Sequence, residues 1–143
     1  MSPAGSDPTA IRSIAVSVED VVAAVETNRT SDREALLRVT PPFSGRMRAR
    51  LHLKLHEDPS ADEAVTIDPD RLLTDDAPDY PRPAETEDAL RRDPDAAYTV
   101  ERHRTRHEAA VADWRAALPE SIRDRVTLPT AGGPHAVDVY VLG

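Results

Sequence analysis

Residues 46–56 alternate without a break: Met47, Ala49, Leu51, Leu53 and Leu55 fall between Arg46, Arg48, Arg50, His52, Lys54 and His56. A period of two over this length predicts a β-strand with one buried and one wet face. Residues 35–40 form a shorter apolar run, and Pro41, Pro42 and Gly45 interrupt it. Two prolines and a glycine cannot continue a ladder, so 35–40 and 46–56 are predicted to form a hairpin. Val18, Val21, Val22 and Val25 recur at helical spacing behind Ser17, with Asp20 three residues on. That is an N-cap signature and predicts a helix over 18–28. Residues 95–118 carry the longest helical pattern, with Val100, His103, His107, Ala110, Val111, Trp114, Ala117 and Leu118 on one face and Pro119 as its stop.

Further strands are predicted at 11–16, 64–67, 125–128 and 136–142, the last two joined by a turn at 130–134. In the final strand Val137, Val139 and Val141 point one way, and Asp138 and Tyr140 the other. This order predicts an α+β fold: a mostly antiparallel sheet of about five to six strands, with one long helix in the C-terminal half and one shorter N-terminal helix packed on it. Residues 1–10 read as a disordered tail and 11–143 as a single domain. The Pro-rich acidic stretch 68–95 reads as a surface excursion, with short helical turns at 69–73 and 85–92. Most of the large apolar side chains fall on 46–56 and 95–118, which are therefore expected to supply the core.

Composition narrows this picture. Hydrophobic residues are 39% of the 143, but 21 of them are alanine, and there are five aromatic residues. The expected core is small and aliphatic, and a marginally stable domain is expected. The absence of cysteine excludes a disulfide scaffold, a Cys-ligated zinc site, an iron–sulfur cluster and a cysteine nucleophile. No Gly-rich phosphate loop and no Gly-x-Ser-x-Gly elbow is present, and the acid pairs sit in the predicted loop, where nothing would tune them for proton transfer. A non-enzymatic binding domain without a cofactor is the expectation. No signal-like or membrane-spanning apolar run occurs, so a cytoplasmic protein is expected.

The net charge of −8 argues against a polyanionic partner until it is segmented. Residues 35–56 carry five basic residues and no acid, whereas 57–95 sum to −10. Arg38, Arg46, Arg48, Arg50, His52 and Lys54 are therefore the candidate anion- or nucleic-acid-binding residues. Arg offers phosphate a planar fork, and sheet faces and ribbons bind nucleic acid. The strip has no interleaved aromatic, which leaves stacking unaccounted for. The competing reading is a solvated face whose arginines pair with nearby acids, or one that the acidic loop covers.

A second class of function is a protein-interaction or assembly module, with nucleic acid replaced by another protein or by a second copy of the chain as partner. It would use the acidic Pro-rich loop, Phe43 at the hairpin tip and Tyr80 in the segment Pro78-Asp79-Tyr80-Pro81-Arg82-Pro83. A third is metal binding: His103 and His107 lie one helical turn apart, a spacing that lets two imidazoles share an ion. Arg102, Arg104 and Arg106 beside them oppose a dication, and core-edge histidines are the simpler reading. The usage of 17 Arg against one Lys, with the acid excess, resembles that of halophilic-archaeal proteins. No characterised family is matched by any motif.

Overall fold

The computed structural model describes residues 5–54 and 64–143. Two compact units emerge, one of Met1–Asp75 with Ile122–Gly143 and one of Asp76–Ser121.

The first unit begins with strand β1 (Ser13–Ser17) and runs directly into helix α1 (Val18–Thr30). Ser17 Oγ accepts the Asp20 amide at 3.0 Å, and Glu19 and Asp20 place negative charge on the positive end of the helix. The helix stops where Asn28 turns its side chain on the incoming strand: its amide donates to Ala35 O at 3.0 Å and accepts from Ala35 N at 2.7 Å. That two-way clamp fixes the start of β2 (Ala35–Val39). β3 (Arg46–Arg48), β4 (Arg50–Leu53) and β5 (Val65–Ile67) follow, and β6 (Arg125–Thr130) and β7 (Gly133–Leu142) close the unit as a hairpin.

These strands form two sheets, of order β3-β1-β7-β6 and β4-β2-β5. The class is α+β, as the pattern predicts. The arrangement differs from the expectation: there are two sheets rather than one, and the 46–53 segment is divided between them. β1 is parallel to both of its neighbours, with Ile14 opposite Met47 and Val139, so the four-stranded sheet is mixed. The other ladders are antiparallel.

The core of this unit lies between the inner faces of the sheets and α1, which touches β1, β2 and β4. Ile14 and Val16, Val126 and Leu128, and Val137 and Val139 cover the four-stranded sheet. Leu37, Val39, Val65 and Ile67 cover the three-stranded one, and Val21, Ala24 and Val25 come from the helix. The residues expected to dominate contribute little. Of 46–53 only Ala49 is fully buried, while Leu51 and Leu53 are each 37% exposed. The cause is position: β3 and β4 are edge strands of their sheets, so each has a neighbour on one side only. Leu55 and His56 lie outside the described residues.

Ahead of β1, the Gly5 carbonyl accepts the Phe43 amide at 2.6 Å. Gly5 has φ +83°, and a Cβ there would stand 2.6 Å from Pro42 Cβ, so only glycine fits the close approach.

The second unit is a helical pair. The Pro-rich stretch contains α2 (Pro83–Arg92), and α3 (Val100–Ala117) packs along it. Thr99 caps α3 by accepting the Arg102 amide at 3.0 Å. Trp114 is buried, its Nε1 donates to Pro78 O at 3.1 Å, and the Tyr80 ring meets it edge-on with centroids 4.8 Å apart. The extended Pro78–Tyr80 segment is thereby tied to α3. The long helix buries only Val111 and Trp114, followed by Leu118 in the next turn, and its first apolar residue, Val100, is 65% exposed. Among the described residues no helix is long and apolar enough to cross a membrane.

Candidate functional site

The basic strip predicted as one strand face is broken at Ala49. The Ala49 amide donates to Ala15 O at 3.0 Å, completing the parallel ladder with β1. Two residues on, the Leu51 amide donates to Asp20 Oδ2 at 3.2 Å, and the chain then pairs with β2. One segment thus serves two sheets. Arg46 and Arg48 go to the four-stranded sheet, and Arg50 and His52 to the three-stranded one.

On the three-stranded sheet Arg38 stands opposite Arg50, and its Nη1 lies 3.4 and 3.5 Å from the two ring nitrogens of His52. Lys54 is paired with Glu34 through a 3.6 Å contact in which both side chains are exposed. The expected file of Arg46, Arg48, Arg50, His52 and Lys54, with Arg38 beside it, is therefore not formed. These residues separate into Arg46 with Arg48, Arg38 with Arg50 and His52, and a Lys54 already engaged.

The outer face of the four-stranded sheet brings the first pair to a neighbour far away in sequence. Register places Arg46, Ser13, Asp138 and Arg125 in one row across all four strands, and Arg48, Ala15 and Tyr140 in the next. Residues in register share a face, so these rows stand on the side opposite Ile14, Val16, Val137 and Val139. Tyr140 is 60% exposed. β1 contributes only the small residues Ser13, which is buried, and Ala15 to the rows between the arginines of β3 and Tyr140. Arg125 Nη1 binds Asp138 Oδ1 at 3.2 Å, whereas Arg46 and Arg48 make no side-chain ion pair among the described residues.

The outward direction of Tyr140 is legible in the alternation of its strand. Its nearness to Arg48 is not, because a parallel pairing of β1 with both β3 and β7 leaves no local signal.

The remaining candidates fall elsewhere. Phe43 is 6% exposed and belongs to the core, so the hairpin-tip anchor expected of it is corrected: the ring folds inward under the loop that Gly5 holds. Tyr80 is packed on Trp114. His103 and His107 are bridged by one hydroxyl, with Thr86 Oγ1 3.0 Å from His103 Nε2 and 3.1 Å from His107 Nδ1; His103 Nε2 also reaches Pro83 O at 2.9 Å. Their partners are thus on α2. His135 Nε2 donates to Ile11 O at 2.6 Å. No group of three or more His, Asp or Glu side chains with the spacing to hold a metal ion occurs among the described residues.

Three carboxylates, an exposed Asp7 and the half-buried Glu87 and Asp93, are held below their ordinary range. Asp7 is stabilised by the hydroxyl and amide of Thr9, Glu87 by the Arg91 guanidinium, and Asp93 by Arg106. Each shift favours the ionised form and stems from an ion pair or a turn, as in structural carboxylates; a general acid needs the opposite shift.

The chain belongs to the family described as a domain of unknown function, DUF8009, whose profile it matches over residues 1–143. No curated protein and no solved structure matches it.

Proposed function

We propose that this domain binds single-stranded nucleic acid on the outer face of its four-stranded sheet, without catalysis. Arg46 and Arg48 take the phosphates, and Tyr140 stacks on a base. The observation that carries the reading is the row Arg48–Ala15–Tyr140, in which an exposed aromatic ring stands two strands from a guanidinium that makes no ion pair among the described residues. Two strand spacings are about 10 Å, which the length of an arginine side chain largely bridges. A stacking surface was the element the basic strip lacked, and it supplies sequence-tolerant affinity of about 1–3 kcal/mol per base.

The chemistry also suits the charge of the whole chain. A net charge of −8 repels a polyanion at long range, so counterion release from a few arginines gives a shallow salt dependence rather than strong attraction. Stacking and bidentate Arg–phosphate bonds are short-ranged and survive at high ionic strength, where the screening length falls to about 3 Å at 1 M. That is the condition for which an acidic, Arg-rich, Lys-poor sequence of this style is suited, and the reading places the domain in the cytoplasm with its ligand. The test is fluorescence anisotropy of labelled single-stranded and duplex DNA and RNA across a salt series. Single strands are expected to bind in preference to duplexes, with a shallow salt slope. Equal or absent binding of single strands at every salt concentration overturns the reading.

A further inference from the structure

The outer face does not end at Arg125. Along the β6 edge the same unit has a cleft of about 580 Å³ lined by Arg71, Arg123, Arg125, Val126, Thr127, Pro134 and Ala136. We propose that this cleft is a phosphate-monoester site, which in the strand-binding reading holds the phosphorylated end of the bound strand. The inference deepens that reading and rests on it for the identity of the strand. The cleft chemistry itself, a dianionic terminal phosphate, comes equally from an oligonucleotide end or a free nucleotide.

Three arginines line one open cavity, and each is held differently. Arg123 is built in: its amide donates to Leu72 O at 2.6 Å and its Nε to Leu73 O at 2.9 Å, so its plane is set before any ligand arrives. One Nη of Arg123 contacts Asp75 Oδ1 at 3.2 Å, but that carboxylate is fully exposed. Arg125 gives one Nη to Asp138 at 3.2 Å and keeps its other donors. Arg71, in the turn Pro69–Leu72, makes no ion pair among the described residues.

Two single-contact, solvent-exposed carboxylates therefore stand against three forks. Such surface pairs contribute little and are readily exchanged. A phosphate monoester presents three acceptor oxygens and close to two charges at neutral pH, which matches three forks better than the single charge of an internal phosphodiester. Fixing Arg123 by backbone carbonyls lowers the ordering cost of binding.

The position of the cleft links it to the sheet face. Thr127 and Ala136 are in register with each other and share the outer face with Asp138 and Tyr140. Ala136 lies four residues from Tyr140 on β7, about 13 Å along the strand. An extended chain of a few nucleotides stacked on Tyr140 reaches the cleft from there.

The experiment compares internally labelled oligothymidylates of one length carrying a 5′-phosphate, a 3′-phosphate or hydroxyl ends. Adenosine monophosphate is titrated separately by calorimetry. Wild type, Arg71→Ala and Arg125→Ala are used, with thermal unfolding as the control for folding. One phosphorylated end is expected to bind about tenfold tighter than the hydroxyl-ended strand, as charge-assisted forks allow. Arg71→Ala should remove that gain and leave hydroxyl-ended binding unchanged, and it should remove adenosine monophosphate binding as well.

Equal affinity for all three strands, with binding still sensitive to Tyr140→Ala, overturns the cleft and leaves the sheet reading standing. Binding of adenosine monophosphate that depends on Arg71, without binding of any strand, overturns the sheet reading and supports the cleft as a nucleotide site. Binding of neither ligand overturns both.

Discussion

Arg48 and Tyr140 stand in one row of the four-stranded sheet with only Ala15 between them, although 92 positions separate them in the chain. The row they define is assembled by β1, which pairs with β3 on one side and β7 on the other. The proposed strand binding depends on that row.

The break at Ala49 separates the basic residues into functional and structural sets. Arg46→Glu with Arg48→Glu is predicted to abolish single-strand binding, because it reverses the charge of both forks on the Tyr140 face. Arg50→Glu, on the other sheet, is predicted to change affinity less than about threefold, an effect transmitted only through the screened field. Anisotropy of the two variants side by side tests this. An equal loss from Arg50→Glu would restore the single-file strip.

The corrected core makes a stability prediction. Leu37→Ala, at a fully buried central-strand position, is expected to cost about 2–5 kcal/mol. Leu53→Ala, 37% exposed on the edge strand, is expected to cost clearly less because the cavity it leaves opens to water. Urea unfolding of the two variants compares them directly. The opposite ranking would mean that the alternating segment, not the central strands, holds the unit together.

In the helical pair, Thr86 is the hinge pin between α2 and both histidines of α3. Thr86→Val keeps the shape and removes the hydroxyl. A loss of about 1–2 kcal/mol is predicted, from one part-buried hydrogen-bonding centre left unmatched. Hydrogen exchange should show it as earlier opening of α2. Unchanged protection would mean that the histidines are held by packing alone.

Acid should loosen the same pair. Hydrogen bonding to Arg91 lowers the pKa of Glu87 below its ordinary 4.5, and hydrogen bonding to Arg106 lowers that of Asp93 below its ordinary 3.8. A carboxylate depressed in the folded state contributes stability that is present above its unfolded value and lost as pH falls through its folded value. Protection of α2 and α3 is therefore predicted to be flat down to the ordinary carboxylate range and to fall below it. Arg106→Gln should make that fall shallower without removing it, because Asp93 loses its largest stabilising partner but keeps the Asp95 amide, and Glu87 keeps Arg91. Hydrogen exchange at a series of acidic pH values measures both curves.

Periodicity located the elements well where one sequence signal had one structural cause. Ser17 and Asp20 marked the start of α1, and the Pro-rich stretch contains the helical turns expected at 69–73 and 85–92, observed at Pro69–Leu72 and Pro83–Arg92. The alternation of 46–56 was a true strand signal, but it cannot say which strands lie beside it. Here one segment borders two sheets, so an even pattern in sequence became two short edge strands and a half-covered row of leucines. The His103 and His107 spacing was equally ambiguous: the same i, i+4 pair that fits a metal also fits a single bridging hydroxyl, and Thr86 is 17 residues from the nearer histidine. The candidate site was legible as charge in Arg46 and Arg48. Its aromatic half was visible only as an outward tyrosine, because a parallel neighbour leaves no mark in the local sequence.

The central claim is tested most directly by Tyr140→Ala in single-strand binding at high and low salt. The ring is exposed, so the variant should fold and melt as the parent does. Binding is predicted to weaken by about 1–3 kcal/mol at every salt concentration, with the salt slope unchanged, because stacking is lost and the phosphate contacts remain. Unaltered affinity after Tyr140→Ala, in a folded protein that binds single strands, would contradict the account and move the binding surface elsewhere.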